Sequence, residues 1–186
     1  MKVVKTNLEG VVVIQPDVFR DERGFFFESY LQTKYQEAGL PEHFVQDNHS
    51  RSQKGILRGL HAQLSRPQGK LVRIVRGEAF DVVVDIRRGS PTYKRWHGIT
   101  LSEDNYLQLY MPPGFAHGFC ALSDPTEMEY KVTDFYDPSD ELHLLWNDPD
   151  LAIRWPLQDP ILSPKDKNGV RLRDIEARLP AYKPPR

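Results

Sequence analysis

The stretch KLVRIVRGEAFDVVVDI, running from Lys70 to Ile86, decides the fold class. Two apolar runs of strand length, Lys70 to Arg76 and Glu78 to Ile86, meet at Gly77. In the second run Phe80, Val82, Val84 and Ile86 share one face, and Asp81, Val83 and Asp85 share the other. A period of two is the mark of a β-strand.

Outward from this hairpin, similar short runs recur about every 8–12 residues, with turn residues between them. Upstream, Val11 to Gln15, Phe25 to Tyr30, Phe44 to Ser50 and Leu57 to Gln63 read as strands. Downstream, His97 to Ser102, Tyr106 to Met111 and Glu127 to Tyr136 continue the series, and Leu151 to Pro156 adds a weaker one. Leu31 to Ala38 reads as a helix capped by Gly39, and Val170 to Leu179 as a second helix. The 15 Pro and 12 Gly punctuate these runs. The expectation is a mainly β sandwich or barrel with a few short peripheral helices, forming one domain over 1–186. The tail 180–186, with its three prolines, is expected to be loose.

Composition narrows the function. At 39% hydrophobic and 27% charged residues the chain is neither disordered nor a membrane protein by composition. No apolar run approaches the ~18 residues of a membrane-spanning helix. MKVVKTNLEG lacks the apolar stretch of a signal peptide, so a cytoplasmic location is expected. The single cysteine, Cys120, excludes an intramolecular disulfide framework and a multi-Cys zinc site. A net charge of −1 gives no global case for nucleic acid. An anionic ligand must therefore be held by a local cluster of basic side chains.

One such constellation surrounds His61. Gly55 precedes His61 by six positions, and Pro113-Gly114-Phe115-Ala116-His117 follows later. This layout resembles the two-part cupin pattern, in which His and Glu side chains gather a metal inside a small barrel. Here Gln63 stands where the second His is expected and Lys70 where the Glu is expected. A lysine ammonium has no lone pair to offer and repels a cation. Two His with Gln and Lys make a poor first-row metal site. The geometry is kept and the chemistry changed: a base, a cation and a second imidazole.

The wider sequence resembles the dTDP-4-dehydrorhamnose 3,5-epimerase family. The resemblance rests on DERGFFFE (21–28), FVQDNHS (44–50), LRGLH (57–61), QGKLVR (68–73) and PGFAHGF (113–119). It continues through Tyr130, Tyr136, LWNDP (145–149), IRWP (153–156) and SPKD (163–166). It implies a cupin-like jelly roll, a homodimer that exchanges N-terminal strands, and no metal or organic cofactor. It implies epimerisation at C3 and C5 of dTDP-4-dehydro-6-deoxy-D-glucose.

By the same resemblance His61 is the base, Asp166 its carboxylate partner, Tyr130 the acid on the opposite face and Lys70 the cation near O4. Arg23, Phe26, Glu28, Gln46, Asp47, Asn48, Arg58, His117, Tyr136, Glu141 and Lys165 match positions that hold the nucleotide and sugar. Each has an ordinary structural alternative: Tyr130 as a core aromatic, Asp166 as a cap or turn residue, Lys70 as a strand-edge charge, Phe25 to Phe27 as core. Three functional alternatives stand beside the double epimerase. They are a C3-only or C5-only epimerase, a metal-dependent cupin, and a non-catalytic sugar-nucleotide-binding cupin.

Overall fold

The computed structural model describes residues 1–40 and 43–184. In chain order the strands are β1 (Lys2–Lys5), β2 (Val12–Gln15), β3 (Phe19–Asp21) and β4 (Gly24–Phe26), followed by helix α1 (Gln32–Glu37). Next come β5 (Gln46–Ser52), β6 (Leu57–Gln63), β7 (Lys70–Arg76), β8 (Glu78–Asp85) and β9 (Trp96–Ser102). The series closes with β10 (Gln108–Met111), β11 (Phe115–Ala121), β12 (Thr126–Val132) and β13 (Glu141–His143). Helix α2 (Pro164–Lys167) and a 3₁₀ helix (Leu172–Arg178) lie in the C-terminal segment.

Two antiparallel sheets carry these strands, in the orders β1-β2-β10-β7-β12-β5 and β13-β6-β11-β8-β9, and β3-β4 form a separate hairpin. The two sheets stay open rather than closing into a barrel, in a jelly-roll arrangement. Gly77 passes the chain from one sheet to the other. It holds φ +75, and a Cβ there would meet Ser123 Oγ at 2.1 Å and the Pro125 carbonyl at 2.4 Å. Only glycine fits that turn.

Alternation then divides each strand between two environments. Val72, Ile74 and Met128 of the first sheet pack against Val83, Phe115 and Phe119 of the second, forming the core between them. The other face of the second sheet, with Val82, Val84, Ile86 and Ala116, is roofed by Leu151, Leu172, Ile175 and Leu179. The other face of the first, with Ile14, Leu71 and Tyr110, is roofed by Tyr35 and Leu40. The all-apolar face of β8 thus looks away from the inter-sheet space. Its aspartate face looks inward, where Asp81 and Asp85 are fully buried and hydrogen-bonded.

Several expectations need correction. Leu151 to Pro156 forms no strand, and the run from Phe25 is a strand only as far as Phe26. The helix expected over Val170 to Leu179 is 3₁₀, not α. Phe25 and Phe26 are 55% and 67% exposed, so they are not core. The tail is anchored through Tyr182. Ala181 bridges Arg88, Tyr182 N–H donates to the Arg88 carbonyl, and the Tyr182 hydroxyl bonds Glu9. Pro185 and Arg186 lie outside the described residues.

Candidate active site

A cleft of about 340 Å³ opens between the two sheets. The second sheet supplies Arg58, His61 and Gln63 from β6 and His117 from β11; the first supplies Gln46 and Asn48, Lys70, and Tyr130. Tyr136 and Glu141 complete the rim. Met128 and Val132 flank Tyr130 at two residues' distance and are both 1% exposed, which fixes Tyr130 on the inner face.

β6 reaches this arrangement through an irregularity. Against β11, His61 pairs with His117, but Arg58 pairs with Phe119. Three residues on one strand span two on the other, which is a β-bulge. Regular alternation would send Arg58 and His61, three apart, to opposite faces; the bulge brings both to the cleft. Gly59 makes it sterically feasible. It holds φ +117, and a Cβ would lie 2.5 Å from Gly118 Cα.

His61 Nε2 stands 2.5 Å from Asp166 Oδ1. With Asp166 ionised, the ring Nε2–H is the donor. Asp166 is 3% exposed and comes from α2, 105 positions along the chain. Its helix start holds it: the Ser163 hydroxyl donates to Oδ2 at 2.7 Å, and the Asp166 N–H donates to Ser163 Oγ at 3.1 Å. The cap role and the histidine-partner role therefore coincide in one residue. Burial pushes the Asp166 carboxyl upward, but the hydrogen bonds from His61 and Ser163 outweigh it and hold the carboxyl below its ordinary value.

Lys70 is pushed down to about 8, chiefly by burial, against the opposing pull of Glu141 and Asp81. At neutral pH it is still mostly an ammonium. Burial raises the Tyr130 phenol, so that group stays protonated. His117 Nε2 lies 2.8 Å from Asp81 Oδ2, a second His–Asp pair behind the first. Tyr136 donates to Glu141 at 3.1 Å. Gln63 is committed to structure: its amide donates to the Arg66 and Phe135 carbonyls and accepts from the Asp137 N–H.

Not every expected residue joins the cleft. Asp47 alternates away from Gln46 and Asn48 and accepts from Lys131 at 2.8 Å beside a separate hollow. Arg23, exposed on the β3–β4 hairpin, is paired with Asp21, and Glu28 with Lys34. Neither they nor Phe26 lines this chain's cleft. Lys165 lies at the adjoining mouth with Asp166 and reaches Glu141 at 3.3 Å.

Sequence reasoning missed Asp81, Ser163 and His143. His143 pairs in register with His61 across β13 and β6. His61, His143 and Asp166 are the only trio of potential metal-ligating side chains found among the described residues, their ligand atoms within 4.8 Å of one another.

The comparisons with known proteins agree with one another. The family model described as dTDP-4-dehydrorhamnose 3,5-epimerase matches residues 5–174. A Pseudomonas aeruginosa protein named dTDP-4-dehydrorhamnose 3,5-epimerase is 54% identical over 178 residues, covering 95% of this chain and 98% of that one. A Streptomyces niveus protein named dTDP-4-dehydrorhamnose 3-epimerase is 41% identical, covering 98% and 90%. The crystal structure of a Legionella pneumophila 3,5-epimerase in complex with dTDP-4-keto-L-rhamnose superimposes with a TM-score of 0.95 at 48% identity, covering 98% of this chain and 99% of that one.

Proposed function

This chain belongs to the dTDP-4-dehydrorhamnose 3,5-epimerase family, and from that premise we propose how its own residues invert C3 and C5 of dTDP-4-dehydro-6-deoxy-D-glucose to give dTDP-4-dehydro-L-rhamnose. The observation that carries the reading is the separation of His61 and Tyr130. One stands on β6 and the other on β12, on opposite walls of one cleft. An epimerase that works through an enolate needs a base on one face of the sugar and an acid on the other.

The C4 ketone acidifies the hydrogens at C3 and C5. Asp166 takes the hydrogen bond from His61 Nε2, so Nδ1 is the nitrogen left to accept the substrate proton. The electron pair moves onto O4. Lys70 stabilises that oxyanion; a preorganised donor of this kind is worth about 3–4 kcal/mol in the transition state. Tyr130 then delivers its proton to the other face of the same carbon. The imidazolium and phenolate exchange protons with solvent, and the cycle repeats at the second carbon. Arg58 suits the diphosphate, since a guanidinium matches phosphate oxygens.

The enzyme acts as a homodimer in this reading. Its support is the β3–β4 hairpin, which joins neither main sheet and leaves Phe19, Phe25 and Phe26 exposed. Covering those rings with a second copy brings Arg23, Phe26 and Glu28 to the partner's cleft.

The test is isotope exchange with the keto sugar nucleotide in D₂O and a chelator, located by NMR. Deuterium at both C3 and C5 is expected. Incorporation at one carbon alone makes the chain a mono-epimerase, the activity named for the Streptomyces niveus relative. Tight dTDP binding without incorporation overturns the catalytic reading.

A further inference from the structure

We propose that the mouth of the cleft holds an inhibitory site for a divalent zinc-like cation, built from His143, Asp166 and His61. The argument starts from His143. Its Nε2 is 2.9 Å from Glu141 Oε2, and an ionised carboxylate can only accept, so Nε2 carries the ring proton. In the neutral ring Nδ1 is then a bare lone pair. That atom is buried and has no hydrogen-bond partner. It faces Asp166 Oδ1 at 3.7 Å. Facing that oxygen, Nδ1 calls for positive charge between the two atoms, supplied by a proton or by a metal cation.

The arrangement is that of a prepared ligand. A carboxylate holding one imidazole nitrogen and fixing the other toward a cation is the usual outer support of a metal-bound histidine. Asp166 Oδ1 already faces both imidazoles, His61 Nε2 at 2.5 Å and His143 Nδ1 at 3.7 Å. Zinc bonds of about 2.0–2.2 Å place tetrahedral ligand atoms roughly 3.3–3.5 Å apart. Reaching that spacing requires the His61–Asp166 contact to open from 2.5 Å and the His143–Asp166 contact to close slightly from 3.7 Å. Two imidazoles and one carboxylate suit zinc, with water as the fourth ligand. The site is distinct from the interior cupin position, where Lys70 and Gln63 stand.

Occupancy stops the reaction through the tautomer of His61. A cation on Nε2 needs that nitrogen's lone pair, which moves the ring proton to Nδ1. Nδ1 is the atom that must be empty to take the substrate proton. The metal need not touch the sugar to block turnover. This consequence rests on His61 as the base; the binding site itself does not.

The experiment titrates zinc chloride into the metal-free protein against a chromogenic zinc indicator, then repeats the D₂O exchange with and without zinc. Outer-shell partners alone are worth about 10–100-fold in affinity, so loss of the direct ligand in His143→Ala should weaken binding by at least about 100-fold. His143→Gln is made in parallel, and metal-free melting curves verify that both fold. His49→Ala, at a surface histidine between Glu127 and Glu129, should bind zinc like the parent. Zinc should suppress exchange in the parent, reversibly with chelator, and leave the exchange that His143→Ala shows without zinc unchanged. Equal zinc affinity in parent and His143→Ala overturns the site. Zinc held through His143 while exchange continues keeps the site and removes His61 as the base.

Discussion

Two His–Asp pairs stand side by side in this molecule, at different depths. His61 and His117 are register neighbours on β6 and β11, each hydrogen-bonded to an aspartate. At the mouth, His61 is 28% exposed and its partner comes from a short helix outside the sheets. Inside, His117 is 8% exposed and Asp81 is fully buried, on the adjacent strand β8. The same two functional groups thus serve different ends according to depth. In the proposed reaction the outer pair is the one that moves protons. In the inner pair His117 lines the cleft while Asp81 sits behind it and contributes charge, since its carboxylate favours the Lys70 ammonium that burial disfavours.

The comparison is broken most severely at the outer pair. Asp166→Asn removes the charge that orients His61 and stabilises its imidazolium, so exchange at C3 and C5 should fall by roughly 10²–10⁴-fold while dTDP affinity holds. Single-turnover exchange and a binding isotherm check both halves. If exchange is unchanged, the outer pair has no special standing.

Next in size is the lysine between the pairs. Lys70→Met should lower turnover by about 10²–10³-fold, through loss of the oxyanion's cation. It should also raise the melting temperature at pH 7. A lysine whose pKa is depressed to about 8 in the folded state binds fewer protons than the unfolded chain between that pH and 10.5. Stability of the parent therefore increases as pH rises through this window, and the variant should lose that slope. Melting curves from pH 7 to 10.5 test the sign.

The smallest effect is expected at the inner pair. Asp81→Asn keeps an acceptor for His117 but deletes a negative charge near Lys70. Turnover at pH 7 should change by less than tenfold. The alkaline limb of the rate profile should move to lower pH, because Lys70 loses part of what keeps it protonated. A loss as large as that of Asp166→Asn would place both pairs in the chemistry.

Much of this was legible in the sequence, and the gaps have physical causes. The alternation visible in the sequence of β8 and β12 separates Asp81 from Val82 and groups Tyr130 with Met128 and Val132. It could not say which face of β8 was roofed by the C-terminal segment, since both faces are buried. The same alternation in β5 separates Asp47 from Gln46 and Asn48, although the three are contiguous in the FVQDNHS motif. Arg58 and His61 share a face only because of the bulge at Gly59, which no period-two pattern reveals. His143 becomes visible only when β13 is laid beside β6, a pairing between segments about 80 residues apart.

The remoteness of Asp166 from His61 also governs the order in which the protein becomes itself during synthesis. The whole first sheet, Lys70 and Tyr130 have been translated by the time Val132 is made, and the second sheet is completed by β13 at His143. The carboxylate arrives only with the segment that also roofs the second sheet, as Leu151, Leu172 and Leu179 bury its outer face. A chain ending before Ser163 lacks the carboxylate that His61 Nε2 hydrogen-bonds. On the proposed roles, competence for proton transfer is thereby tied to the arrival of the C-terminal cover.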